Sequence, residues 1–124
     1  MSGIIDINRA NSDRCRMKHI VILAGNGVMT SQLVGVMDFF MVCNTYWQVR
    51  IKEEDAKLFK VSVVSSTGEA ITSESGVIIP ATTAPSLEDV HALVVTAGVG
   101  YNKKTVSEYF SRVAPFKSYL TKAA

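Results

Sequence analysis

Three apolar stretches of strand length divide this chain. They are His19–Ala24 (HIVILA), Phe59–Ser65 (FKVSVVS) and His91–Ala97 (HALVVTA). The first is continuous and rich in β-branched residues, the second alternates before becoming fully apolar, and the third is apolar through its centre. Strands of this kind suit a parallel sheet that is covered on both faces. We therefore predict that these three segments are the central strands.

Apolar residues with helical spacing follow the first strand. They fall at i, i+4, i+7 and i+8, with a polar interruption at i+11: Leu33, Met37, Phe40, Met41 and Asn44. Thr30 or Ser31 is predicted to cap this helix, because a hydroxyl can accept a hydrogen bond from an orphan amide of the first turn.

A second helical face lies near the carboxyl terminus. It consists of Val106, Tyr109, Phe110, Val113, Phe116 and Leu120. Pro115 interrupts the pattern, which predicts a kink or two helices, with Pro115 opening the second.

Between the second and third strands, two short segments read as a β-hairpin. Glu69–Ser73 and Gly76–Pro80 flank a turn at Glu74-Ser75. The order strand, helix, strand, hairpin, strand, helix predicts the α/β class: a three-layer sandwich with a mainly parallel, flavodoxin-like sheet plus the hairpin. Residues 1–17 are polar and are interpreted as a flexible arm, and residues 18–124 as the domain.

Composition narrows the possible functions. The chain has 124 residues, 48% hydrophobic and 19% charged, which suits one globular domain. No apolar run approaches the ~18–20 residues of a membrane span, and the amino terminus lacks a secretory apolar region, so we expect a cytoplasmic protein without membrane contact. Cys15 and Cys43 are too widely spaced for a disulfide framework or a zinc site, so no metal is expected. A net charge of +2 is too small for a DNA-binding footprint.

Two glycine turns follow strands, at Gly25-Asn26-Gly27 and Gly98-Val99-Gly100. Ligands of open parallel sheets bind outside the carboxyl ends of the strands. A dinucleotide fingerprint would need a third glycine where Thr30 stands and an acid after the second strand, and the Gly-Lys-Ser/Thr of a P-loop is absent. We therefore interpret these turns as the rim of a ligand crevice and not as a phosphate-binding loop, and we expect no cofactor.

Candidate catalytic residues are few. Cys43 lies mid-helix beside the apolar face, where core packing is the simpler interpretation. His19 and His91 each begin a strand, so they point away from a crevice at the carboxyl ends. No Gly-x-Ser-x-Gly elbow is present.

The order of four segments resembles a known superfamily. HIVILAGNGVMTSQLVGVMDFFMVCN is followed by FKVSVVSSTG, SGVIIPA and ALVVTAG. This progression resembles the ThiJ/PfpI superfamily, the class I glutamine amidotransferase-like fold, and in particular the amino-terminal domain of AraC-type transcriptional regulators. The resemblance runs from about Lys18 to the carboxyl terminus.

The resemblance implies a site that has lost its reactive groups. Active members carry a carboxylate near the start of the first helix, and Gln32 occupies that position here. Their nucleophile elbow, strand-Cys-x-Gly-helix, would follow Ala124, so we expect a domain that is incomplete at its carboxyl terminus. The turn after the third central strand would supply backbone amides. The candidate ligand crevice is Gly25, Asn26, Gly27, Gln32, Gly98 and Val99.

The leading functional hypothesis is therefore a non-catalytic ligand-sensing and dimerisation domain of an AraC-type transcriptional regulator. It implies a small-molecule effector, a homo-oligomer, and DNA contact only through a module outside this chain. The alternative is a fragment of a ThiJ/PfpI-like hydrolase, amidase or hydratase. A third interpretation is a flavodoxin-like nucleotide or flavin binder.

Overall fold

The computed structural model describes residues 17–98, 100 and 102–123. The predicted arm lies outside these residues except for Met17. The strands are β1 (Lys18–Leu23), β2 (Phe59–Val64), β3 (Ile71–Thr72), β4 (Ile78–Ile79) and β5 (Ala92–Val95). The helices are α1 (Thr30–Ile51), α2 (Lys103–Val113) and α3 (Lys117–Ala123), with 3-10 turns at Leu87–Asp89 and Ala114–Phe116.

The central sheet has the strand order β2-β1-β5, and both pairings are parallel. Ile22 on the middle strand lies level with Val63 on one side and Val94 on the other. The hairpin β3-β4 is antiparallel, and its strands are two residues each, shorter than predicted. The mainly parallel sheet with an added hairpin is thus confirmed.

Two apolar cores lie on opposite faces of this sheet, because successive strand residues point to opposite sides. Ile22 and Val63 face α1, where Leu33 is fully buried. Val21 and Leu23 face the other way and pack on Phe116 of the turn before α3. Helices therefore cover both faces, and the predicted three-layer sandwich is confirmed.

The start of α1 differs from the prediction. Met29 is the N-cap residue, and no side chain caps the helix. Thr30 Oγ1 instead donates to Ser73 Oγ at 2.6 Å and Ser75 Oγ at 3.0 Å. The predicted hydroxyl cap is wrong because Thr30 is used to dock the β3-β4 hairpin onto the helix.

The far end of α1 is tied to the start of β2 by Asn44. Its Oδ1 accepts from the amides of Leu58 and Phe59, both at 2.9 Å, and its Nδ2 donates to the Phe59 carbonyl at 2.9 Å. The ring of Phe40 packs edge-on against Phe59, with centroids 4.9 Å apart. The polar interruption in the helical pattern is thus a structural anchor.

The break between α2 and α3 follows the prediction, whereas Phe110 of the predicted apolar face is 64% exposed. Asn102 begins α2 with a capping box, in which its side chain and that of Thr105 each satisfy the other's backbone amide. Pro115 falls in the first positions of the 3-10 turn that separates α2 from α3. Along the described part of the chain, no helix combines the length and apolarity needed to cross a bilayer.

Candidate functional site

The turn after β1 is held by the hairpin. Gly27 has φ of 84°, a left-handed conformation that favours glycine. Its amide donates to the Thr72 carbonyl at 2.9 Å, and Asn26 Oδ1 accepts from the Thr72 amide at 2.9 Å. The side chain of Asn26 is therefore committed to positioning β3 against the turn.

The side chain of Arg112 on α2 binds the same turn. Arg112 Nη1 donates to the Asn26 carbonyl at 2.8 Å. A Cβ placed on Gly25 would lie 3.3 Å from the Cβ of Arg112. Gly25 thus lets α2 approach β1, and the Arg112 guanidinium lies at the carboxyl end of that strand.

The start of α1 contacts the turn after β5 at the carboxyl end of that strand. Gln32 Oε1 accepts from the Ala97 amide at 3.0 Å, and the Met29 amide donates to the Ala97 carbonyl at 3.0 Å. Val28 forms an isolated antiparallel bridge with Gly98. The entrance of α1 is therefore joined to the turn after β5, and Val99, the next predicted residue, lies outside the described residues.

The predicted residues do not share one cleft: Gly25 and Asn26 line the first of two larger open clefts, Gln32 lines the second, and Gly98 lines a smaller one of about 290 Å³ beside Tyr109. The β1–β2 cleft, about 330 Å³ in volume, is lined by Gly25, Asn26, Ser65, Ser66, Thr67, Glu69, Ala70, Ile71, Ser111, Arg112 and Pro115. The β5 groove, about 380 Å³, is lined by Ser31, Gln32, Gly35, Val36, Phe39, Val94, Val95 and Thr96. Gly25 and Asn26 thus face a different space from Gln32.

The chemistry of the two clefts differs. The β1–β2 cleft carries hydroxyl groups, the Glu69 carboxylate and the Arg112 guanidinium. Ser65 Oγ already donates to the Glu69 carbonyl at 2.7 Å. This lining suits a polar ligand, with Arg112 available for an anionic group. The β5 groove is mainly apolar and opens along the edge of the sheet, where no described strand pairs with the far side of β5.

Neither cleft contains a thiol or an imidazole among the described residues. Cys43 is half-buried and lies eleven residues after Gln32 on α1, about 16 Å along the helix axis. Because the neighbouring Asn44 binds the start of β2, Cys43 is near the amino ends of the strands.

The two histidines also lie at that end. His19 is buried, with Nε2 in a 2.7 Å hydrogen bond with Ser62 Oγ, and the His19 amide donates to His91 Nδ1 at 2.9 Å. Within the described ranges, no group of three or more histidine, cysteine, aspartate or glutamate residues is arranged to hold a metal ion.

Sequence reasoning missed two residues that shape this end of the sheet. The ring of Tyr109 covers Gly98, and its hydroxyl is 3.1 Å from Thr96 Oγ1 in a buried hydrogen bond. Arg112 follows one helical turn later. The i, i+3 spacing placed both on neighbouring positions of α2, but nothing local indicated that this face meets the glycine turns.

Solved structures resemble this fold, whereas sequence comparisons find no match. No family model matches the sequence, and no curated protein matches it. The structure is similar to that of an AraC family transcriptional regulator from Pseudomonas putida, with a TM-score of 0.54 and 17% identity over 69% of this chain. A DJ-1 superfamily protein from Agrobacterium tumefaciens aligns with a TM-score of 0.43 and 18% identity over 83% of this chain. The chain spans 50% of the length of each.

The likeness to the Pseudomonas putida regulator shows the fold alone. It confirms the α/β sandwich and the fold resemblance to AraC-type regulators that the order of segments predicted.

Proposed function

We propose that this chain is a non-catalytic ligand-sensing and dimerisation domain of an AraC-type transcriptional regulator. The observation that carries the proposal is the environment of Gln32. Its side-chain oxygen accepts the Ala97 amide where the resemblance implies a carboxylate. A neutral amide can position the two loops, but it can neither take up a proton as a base nor lower the pKa of a thiol.

The position of the thiol supports the same proposal. Cys43 stands about three helical turns from Gln32, toward the opposite end of the sheet. A nucleophile needs a base within about 2.6–3.2 Å. Cys43 and Gln32 therefore do not form a catalytic pair.

We place the effector in the β1–β2 cleft. The cleft lies at the carboxyl ends of two parallel strands, the edge at which open α/β sheets bind ligands, on the β2 side of β1 and next to the switch point between β1 and β5. Arg112 supplies a cation, and Ser66 and Thr67 supply hydroxyl donors, whereas the Ser111 hydroxyl already donates to the Glu108 carbonyl. The effector is therefore a small polar molecule that carries an anionic group. DNA contact falls to a module outside this chain, since the net charge of +2 is low.

A turnover assay separates this proposal from the hydrolase alternative. The purified chain is incubated with amide, ester and glyoxal substrates beside the Cys43→Ser and Gln32→Ala variants. We expect no turnover above the uncatalysed rate in any of the three. Turnover by the wild type that either substitution abolishes would establish the enzyme and overturn the proposal. Sequence-specific DNA binding by this chain alone in a gel shift would contradict the proposal that a module outside this chain contacts the DNA.

Thermal melting tests the effector cleft. Inorganic phosphate and citrate serve as anionic probes, and a neutral sugar serves as the uncharged control. We expect the anions to raise the melting temperature of the wild type and of Lys104→Gln, which removes a charge from an exposed position of α2. Arg112→Gln is expected to lose that increase. An equal increase in both variants would mean that the anions act outside the cleft, by binding elsewhere or by exclusion from the protein surface, and would overturn the proposed site.

A further inference from the structure

The β3-β4 hairpin is fixed at its base by apolar burial and held at its tip by polar contacts. Ile71 and Ile79 at the base are buried in the core on the α1 side of the sheet. Residues 72–77, which we call the hairpin tip, contain no buried apolar side chain. A segment that is held by hydrogen bonds without apolar burial opens at a lower free energy than the core beside it. The hairpin tip can therefore separate from the domain while the base stays in place.

Three hydrogen bonds join the hairpin tip to the turn after β1. The Gly27 amide donates to the Thr72 carbonyl, and the Glu74 amide donates to the Val28 carbonyl, both at 2.9 Å. Asn26 Oδ1 accepts from the Thr72 amide, also at 2.9 Å. Because these bonds come from three consecutive residues of the turn, the turn and the hairpin tip hold each other in place.

Asn26 also connects the hairpin tip to the β1–β2 cleft. Its carbonyl accepts from Arg112 Nη1 at 2.8 Å, while its side chain accepts from Thr72. Arg112 lines the cleft, so an anion bound to its guanidinium is joined to the hairpin tip through a single residue. When the tip separates, the turn loses the bonds that hold the Asn26 carbonyl in the position that orients Arg112.

We propose that effector binding in the β1–β2 cleft closes the hairpin tip onto the turn after β1, and that Asn26 is the positioning residue that couples the two. This inference rests on the proposed effector cleft and names the element that responds to it. A ligand that binds better when the tip is closed shifts the equilibrium toward the closed form. Linkage makes the effect reciprocal, so closure of the tip also favours binding.

One charge opposes this coupling. A Cβ placed on Gly27 would lie within 4 Å of both Arg112 Nη1 and Glu74 Oε2. The closed hairpin tip thus brings a carboxylate near the guanidinium, where it repels a bound anion. Both side chains are exposed, so water and salt screen this repulsion. The three hydrogen bonds between the turn and the tip outweigh it, and the net coupling is positive.

Amide hydrogen exchange, measured by NMR at constant pH and ionic strength, tests the coupling. The Glu74 amide is the reporter, and inorganic phosphate and citrate are the anionic probes, with a neutral sugar as the uncharged control. At an anion concentration about 100 times the dissociation constant, linkage permits slowing of up to about 100-fold. We expect at least about tenfold slowing in the wild type. The amides of Leu58 and Phe59, which bind Asn44 at the other end of the sheet, are expected to stay unchanged.

Two substitutions separate coupling from simple weakening of the hairpin. Asn26→Ala removes the side-chain acceptor of the tip and keeps the main-chain carbonyl. Thr30→Val is the matched control, because it removes the hydroxyl bonds to Ser73 and Ser75 at a residue outside the cleft lining. Both are expected to speed exchange of the Glu74 amide without anion. At matched anion occupancy, we expect the slowing to persist in Thr30→Val and most of it to be lost in Asn26→Ala.

The outcomes separate this inference from the proposed effector cleft. If the anions raise the melting temperature through Arg112 but leave exchange of the Glu74 amide unchanged or faster, the coupling is overturned while the cleft stands. Equal slowing at Leu58 and Phe59 would indicate general stabilisation and would overturn it too. Full slowing in Asn26→Ala would overturn the role of that residue. Absence of both the melting response and the slowing would overturn both proposals.

Discussion

Replacing Asn44 by alanine tests whether the polar residue on the buried side of α1 holds β2 in place. The side chain makes three hydrogen bonds of 2.9 Å to the backbone of Leu58 and Phe59. At about 1 kcal/mol for each bond, their loss costs about 3 kcal/mol. Alanine favours the helix by roughly 0.5–0.7 kcal/mol over asparagine, so the net loss of unfolding free energy is about 2.5 kcal/mol.

Urea unfolding followed by circular dichroism at one fixed protein concentration measures this loss. Thr45→Ala is the control, because the neighbouring Thr45 is exposed and its hydroxyl donates only to the Met41 carbonyl of the same helix. We expect this control to lose no stability and to gain up to roughly 0.5–0.7 kcal/mol from the higher helix propensity of alanine. A loss below about 1 kcal/mol for Asn44→Ala would refute the reasoning, since the bonds to β2 would then carry no net stability.

Further predictions concern the two faces of the sheet. Gly98→Ala places a Cβ 2.6 Å from the Tyr109 ring, so we expect a loss of about 1–3 kcal/mol in chemical unfolding, and less in a Tyr109→Ala background. Leu33→Ala removes a fully buried side chain and is expected to cost about 2–5 kcal/mol in the same assay. Burial raises the pKa of Tyr119. As the pH rises, the unfolded chain therefore loses the Tyr119 proton before the folded chain does. The resulting stabilisation of the folded chain is present below pH ~10 and declines above it. Unfolding free energies measured from pH 9 to 11 are expected to decline less in Tyr119→Phe than in the wild type.

Much of the fold was predictable because its signals are local. The β-branched runs marked three parallel strands, and the helical spacing after β1 marked α1. Pro115 marked the break between α2 and α3. Each signal extends over at most about a dozen residues, which is the range over which strand and helix periodicity can be read.

The candidate site was harder to predict from the sequence, because its contacts join residues that are far apart in the chain. Gln32 was predicted as a site residue only through the family resemblance, and its hydrogen-bond partner is the amide of Ala97, 65 residues away. The hydroxyl of Thr30 was predicted as a helix cap, but Ser73 and Ser75, more than 40 residues away, take it instead. Whether the Thr30 hydroxyl caps the helix or binds the hairpin depends on how the hairpin packs against α1, which the local sequence does not show.

By itself, the sequence determined the order of the elements, the class of the fold and the presence of two glycine turns after strands. These follow from side-chain periodicity and backbone freedom, which act between near neighbours in the chain. Only the tertiary structure decided what those turns face: Arg112, 86 residues away, binds the Asn26 carbonyl, and Tyr109 covers Gly98. It also decided which apolar side of α1 meets the sheet and which remains outside, because burial depends on how the two layers pack and not on the helical pattern alone.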